Sequence, residues 1–144
     1  MLIGEYTHTL DPKKRLSLPS RWRRELGKSV VVTRGLDNCL FVYPLAAWSR
    51  ITEKIGHLPL GQADTRGFNR FFLSGAVESE IDGAGRILIP DFLKAFAGLG
   101  SKVVLAGIHD RVEIWDERTW GAYKRRIEKQ GNALAEKLGE VGVL

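Results

Sequence analysis

The stretch Asp11-Pro12-Lys13-Lys14-Arg15-Leu16-Ser17-Leu18-Pro19 returns 71 residues later as Asp82-Gly83-Ala84-Gly85-Arg86-Ile87-Leu88-Ile89-Pro90. Asp, Arg and the closing Pro keep their places, and each copy is followed by a residue suited to a helix N-cap, Ser20 and Asp91. After a one-residue slip the correspondence resumes at an offset of 72. Gly35-Leu36 meets Gly107-Ile108, Leu40 meets Val112, Val42-Tyr43 meets Ile114-Trp115, and Trp48 meets Trp120. Residues of such particular shape do not recur at fixed spacing by chance, so the chain is a tandem duplication.

Outward from that stretch, each copy reads as short strands with one short helix. Tyr6, His8 and Leu10 alternate with Thr7 and Thr9, as in a half-buried strand, and Val77, Ser79 and Ile81 do the same in the second copy. Asp-Pro and Asp-Gly then start turns, because the carboxylate can accept backbone N–H groups beyond it. Leu16–Leu18 and Ile87–Ile89 are brief strands stopped by Pro19 and Pro90. Helices are expected over Ser20–Leu26 and Asp91–Ala97, ending near Gly27 and Gly98. Strands over Val30–Thr33 and Leu40–Tyr43 are mirrored by Val103–Ala106 and Val112–Trp115.

Helical spacing follows each unit. Trp48, Ile51, Ile55 and Leu58 form one stripe, Phe68, Phe71 and Phe72 belong to a second, and Trp120, Tyr123, Ile127, Leu134 and Leu138 to a third. The third crosses Gly131, an expected weak point. These stripes read as core or subunit-interface packing. The division expected is a first repeat over 5–47, connecting helices over 48–75, a second repeat over 76–119, and a C-terminal helix and tail over 120–144. A unit of about 45 residues buries little by itself. The two copies should therefore share one core, giving an α+β, mainly β fold: a pseudo-two-fold barrel with peripheral helices.

The chain of 144 residues is 44% hydrophobic and 27% charged, an ordinary globular composition. The single Cys39 excludes an internal disulfide and fits a reducing interior. No signal peptide is read at the start, and the longest strongly apolar run, Val103–Ile108, is far short of a membrane span. A cytoplasmic protein with no membrane partner is expected. The net charge is +5, unevenly placed: residues 1–72 carry 12 basic and 6 acidic side chains, residues 73–144 carry 10 and 11. Lys13, Lys14, Arg15, Arg21, Arg23 and Arg24 form a run without an acid. Such a field attracts polyanions, nucleic acid first and anionic lipid second.

Catalytic patterns are missing. His8, His57 and His109 lie too far apart for a metal-ligand spacing, and His8 on its strand face reads as a satisfied structural histidine. Cys39 has no neighbouring base and reads as a buried, inert thiol. Gly27-Lys28-Ser29 lacks the earlier Gly of a phosphate-binding loop, where Trp22 stands. Gly83-Ala84-Gly85 lacks the third Gly of a dinucleotide fingerprint, a place held by Leu88. No enzyme, metal, cofactor or small-molecule substrate is expected.

What remains is the doubled Asp-x-x-x-Arg turn beside a cationic run. Arg suits phosphates and guanine edges because its planar fork donates two parallel hydrogen bonds. At the tip of a β-element it can enter a groove. At these residues the sequence resembles the MraZ family, bacterial regulators of division and cell-wall genes with two tandem SpoVT/AbrB-type domains. The resemblance runs through Asp11/Arg15, Asp82-Gly83-Ala84-Gly85-Arg86, Leu40 to Tyr43-Pro44-Leu45, and Glu113 to Trp120. It implies a swapped-hairpin barrel made within one chain, assembly of copies into rings, and binding to direct repeats in double-stranded DNA upstream of its own operon. Repression, including of its own gene, and a nucleoid-associated location go with it. It also places Lys13, Lys14 and Arg15 at the DNA, with Arg86 the matching position of the second repeat. Asp11, Asp82, Gly83 and Gly85 would shape the turns.

Lys14 stands where the second motif has Gly85, which could restrict the turn if φ is positive there and which adds a charge beside Arg15. The charge split makes the first repeat the expected DNA face, with the second either contributing Arg86 or mainly completing the barrel. Arg15 is the first choice for reading a base. Arg21, Arg23 and Arg24 rank second, some on phosphate and at least one paired only with Glu25 or solvent. Adjacent subunits of a ring would engage adjacent repeats, each weak contact gaining from effective concentration. Two other readings remain open: an AbrB-type antitoxin with a toxin-binding tail, and a ring-forming scaffold whose basic face binds a protein or an anionic surface.

Overall fold

Runs of β-branched and aromatic residues, cut short by Pro and Gly, give eight strands, and amphipathic runs between them give five helices. The computed structural model describes residues 1–144. The first repeat contributes β1 (Leu2–Thr9), β2 (Arg15–Ser17), α1 (Ser20–Leu26), β3 (Ser29–Arg34) and β4 (Leu40–Pro44). Two connecting helices follow, α2 (Leu45–Gly56) and α3 (Ala63–Leu73). The second repeat supplies β5 (Val77–Glu80), β6 (Arg86–Leu88), α4 (Asp91–Phe96), β7 (Lys102–His109) and β8 (Arg111–Asp116), and α5 (Glu117–Glu140) ends the chain.

The repeats are interleaved rather than side by side. A six-stranded antiparallel sheet runs β1-β7-β8-β4-β3-β5, and a two-stranded ribbon pairs β2 with β6. Strand β1 of the first repeat thus lies on the β7–β8 hairpin of the second, and β5 of the second lies on the β3–β4 hairpin of the first. The registers carry the pseudo-two-fold. Phe41 pairs with Glu113, its own equivalent, and Leu16 pairs with Ile87, likewise its equivalent. A rotation through those two pairs exchanges the repeats.

This exchange creates the joint core. Leu10, Leu16, Leu18, Trp22, Leu26, Val30 and Val32 of the first repeat and Ile87, Ile89, Leu93, Val103 and Leu105 of the second belong to one cluster of 19 buried residues. Trp22 is anchored twice. Its ring meets Tyr6 edge-on at 5.0 Å, and its Nε1 donates to the Ile3 carbonyl at 3.1 Å. A second cluster on the other side of the sheet packs Phe41, Tyr43 and Trp115 against Ala47 and Ile55 of α2 and Phe72 of α3, with Trp120 and Tyr123 of α5 against it.

Several expectations are corrected. The barrel is not closed: β1 and β5 are the sheet edges and do not pair with each other. The three-residue strands β2 and β6, bounded by their turns and prolines, are too short to join both edges by a continuous ladder. Ser20 and Asp91 are the first helical residues, not N-caps. Pro19 and Pro90 occupy the cap positions, with no side-chain cap hydrogen bond. Proline's fixed φ pre-sets the helix entry instead. Gly131 does not interrupt α5, which is continuous over 24 residues. Beyond Tyr123 the α5 stripe leaves the core, so Leu134 and Leu138 are exposed, as is Leu58 after the end of α2. His8 is half-buried on the inner side of β1 but makes no hydrogen bond, so it is not the satisfied histidine expected; burial lowers its pKa. Cys39 is fully buried and burial raises its thiol pKa, which makes it inert.

One close approach decides whether β1 can dock. Gly4 pairs with Gly107, and a Cβ on Gly107 would lie 2.6 Å from the Ile3 nitrogen and 2.7 Å from the Leu2 carbonyl carbon. Gly107→Ala should lower unfolding stability by about 1–3 kcal/mol, as overpacking does. Urea denaturation reads the change directly, and an unaltered midpoint would contradict this account of β1 docking.

Candidate nucleic-acid interface

The two Asp-x-x-x-Arg segments fold into the same object. In the first, the Asp11 carboxylate accepts the Arg15 backbone N–H on Oδ1 at 2.9 Å and the Arg15 Nε–H on Oδ2 at 2.8 Å. In the second, Asp82 Oδ1 accepts the N–H groups of Arg86 at 2.9 Å and Ala84 at 3.0 Å, and Oδ2 accepts Arg86 Nε at 2.9 Å. Backbone bonds close both loops: Asp11 N to Arg15 O at 3.1 Å and Asp82 N to Arg86 O at 2.9 Å. One short acid therefore builds the turn and aims the arginine. Because only Nε is used, Nη1 and Nη2 of each guanidinium make no hydrogen bond within the chain. Those are the paired donors that recognise a phosphate or a guanine edge.

The fourth residue of each turn is left-handed, Lys14 at φ 62° and Gly85 at φ 80°. Gly adopts this without penalty, whereas a lysine there costs about 1–3 kcal/mol. Lys14 Nζ lies 2.6 Å from Asp91 Oδ2, so part of the charge it adds beside Arg15 is matched by an acid. Gly85 has a second role. A Cβ there would collide with the Arg23 guanidinium, whose Nη2 donates to the carbonyls of Leu18 and Ala84, each at 3.3 Å.

The ribbon joins the turns into one face. Leu16 and Ile87 sit opposite each other and point into the core, at 0% and 1% exposure. The side chains on either side of them point the other way. Arg15 is opposite Leu88 and Ser17 is opposite Arg86, so both arginines share the outer face. Their positions are diagonal neighbours, about 7–8 Å apart. Each side chain is 32% exposed, with its Nε held by the aspartate of its own turn. The sequence separates these arginines by 71 residues, and the interleaved fold makes them neighbours.

The remaining cations divide. Arg23 clasps the second turn and is spent on backbone carbonyls. Glu25 pairs with the terminal amine of Met1 rather than with any nearby arginine. Lys13, Arg21 and Arg24 are exposed and form no ion pair. Two outer-face neighbours, Ser17 and Leu88, escaped sequence reading although they lie two residues after each arginine; Leu88 is 58% exposed. Glu78 and Glu80 also escaped it. They line an open groove of about 700 Å³ with Lys14, Arg15, Asp82 and Arg86, and aligning the repeats upstream of the motif would have found them opposite Thr7 and Thr9. No helix is long and apolar enough to cross a membrane.

The sequence model of the family described as "MraZ protein, putative antitoxin-like" matches this chain twice, over residues 1–71 and 72–138. The transcriptional regulator MraZ of Moorella thermoacetica is 51% identical over 138 residues, 96% of each chain. That of Heliobacterium modesticaldum is 49% identical over 138 residues, again 96% of each. That of Caldanaerobacter subterraneus subsp. tengcongensis is 46% identical over 143 residues, 99% of this chain and 100% of the relative.

Both turn carboxyls have a pKa lowered from the ordinary 3.8, first by the backbone N–H of Arg15 or Arg86 and further by the guanidinium. A carboxylate lowered in the folded state stabilises it above its ordinary pKa, and the contribution is lost as pH falls through the lowered value. The double variant Asp11→Asn/Asp82→Asn should therefore have a lower urea midpoint than the parent at neutral pH. The gap should narrow as pH drops below 3.8. A gap independent of pH would show that the carboxylates do not hold the turns.

Proposed function

Because the chain belongs to the MraZ family, we propose that it is a sequence-specific DNA-binding transcriptional regulator whose reading element is the outer face of the β2–β6 ribbon. The observation that supports this best is the doubling. Two arginines, each fixed by its own aspartate and each with its terminal nitrogens unengaged, stand side by side on one short antiparallel ribbon. Two-stranded ribbons fit the major groove, and bidentate arginine is its commonest specific contact. Pre-fixing Nε removes much of the rotamer entropy that a long side chain loses on binding.

The roles then separate. Arg15 and Arg86 read base edges. Lys13, Arg21 and Arg24 meet phosphates and hold the register, with Lys14 contributing less because Asp91 shares its charge. Arg23, Asp11, Asp82, Gly83 and Gly85 keep the turns in shape. Several copies, arranged as a ring, would present this face to successive direct repeats upstream of the chain's own operon and repress it. The protruding half of α5, with exposed Leu134 and Leu138, is available for contacts between copies.

Binding to the upstream duplex and to a scrambled duplex, followed across a salt series, tests the reading. Arg15→Ala and Arg86→Ala should each cost about 1–3 kcal/mol and relax the preference at one base position. Lys13→Ala should weaken all duplexes alike and reduce the salt slope by about 1. Arginine variants that keep both affinity and preference would overturn the assignment. Equal binding to both duplexes, together with binding to acidic vesicles, would favour a scaffold with a basic face.

A further inference from the structure

The two-fold that relates the turns governs the backbone but not the charge. Several equivalent positions differ in charge between the flank formed by β1, the first turn and α1 and the flank formed by β5, the second turn and α4. Thr7 and Thr9 correspond to Glu78 and Glu80; Lys13 corresponds to Ala84; Arg21 and Arg24 correspond to Phe92 and Ala95. The first flank's own unmatched acids, Glu5 and Glu25, equivalent to Ala76 and Phe96, are held by Lys124 and the terminal amine of Met1. The two on β5 are not neutralised. Glu78 and Glu80 are exposed, form no ion pair, and line the same groove as Arg15 and Arg86. Their strand partners on β3 are Val31 and Ser29, so no cation faces them across the ladder.

A protein with a true two-fold reads a palindrome, because its two halves make the same contacts on two half-sites. Here the half-contacts differ in sign. A phosphate backbone laid along the basic flank gains attraction. Laid along the other, it meets two carboxylates that no ion pair engages, and repulsion within a Debye length is only partly screened by salt. We infer that Glu78 and Glu80 are orientation-determining residues: by repelling the phosphate backbone on the β5 side, they force each copy to sit on a non-palindromic DNA site in one direction only. The inference rests on the DNA-reading role proposed above and deepens it. It gives a physical reason why copies lined up along a duplex would read repeats in the same direction rather than inverted ones.

The repeat itself supplies the test variant, Glu78→Thr/Glu80→Thr, which installs the residues of the opposite flank. Glu78→Gln/Glu80→Gln removes the charge alone and serves if the first fails to fold. Each is compared with the parent by site selection from a randomised duplex pool, by anisotropy titration at low and high salt, and by mass in solution. The parent should select a motif with unlike halves. The variants should bind about tenfold more tightly at low salt, with the gain fading as salt rises, and should select a more symmetric motif. Unchanged affinity and an unchanged motif would overturn the inference and leave the DNA-binding role standing. So would loss of assembly with per-copy affinity intact, which would make the acids a contact between copies. A parent that selects no motif at all would instead remove the DNA-reading role on which the inference rests.

Discussion

The structure depends on one pairing, β2 with β6, centred on Leu16 opposite Ile87. Each strand has only three residues and would not persist alone. It persists because its inward side chains are buried in a core drawn from both repeats, while its ends are closed by aspartate turns. The same pairing that buries Leu16 and Ile87 necessarily turns Arg15 and Arg86 outward, since successive strand residues face opposite sides. Stability and the candidate reading face are two consequences of one register. A slip of one residue would place the arginines in the core.

Interleaving makes this register available. With β1 on the β7–β8 hairpin and β5 on the β3–β4 hairpin, neither repeat completes its own sheet, and neither could bury its apolar face alone. Carrying both halves in one chain also frees them to diverge. An assembly of two identical chains would have to repeat every charge on both flanks, whereas here Lys13, Arg21 and Arg24 have no basic equivalents and Glu78 and Glu80 no acidic ones. Arg23 has taken on a structural task, bracing the glycine turn across the pseudo-two-fold, while its equivalent Lys94 has no such hydrogen bond.

Much of this was legible in the sequence because shape-constrained residues repeat. Asp, Arg and Pro at fixed spacing located both turns, and alternation such as Tyr6, Thr7, His8, Thr9 located the strands. Pairing between repeats entered only as what the family resemblance implied, and the strand order and register were not legible, since they depend on contacts about 100 residues apart, such as Leu2 with His109. Nor was the open edge of the sheet, set by the shortness of β2 and β6. Ser20 and Asp91 carry the side chains of good caps but sit one residue inside the helix, where proline has already fixed the entry. The charge run from Lys13 to Arg24 pointed to the first repeat alone. Only the fold shows that Arg86 belongs to the same face, that Arg23 is spent on backbone, and that Glu78 and Glu80 border the site.

The outer face of the ribbon, with both arginines on it, is the surface proposed to meet DNA. A photo-crosslinking residue, p-benzoylphenylalanine, placed singly at Ser17, Leu88 and Lys129 tests it most directly. All three side chains are at least partly exposed, and Lys129 lies on the part of α5 that projects beyond the core. Irradiation with the upstream duplex should attach DNA at Ser17 and at Leu88, and not at Lys129. Attachment at Lys129 alone, or at neither ribbon position while binding persists, would contradict it.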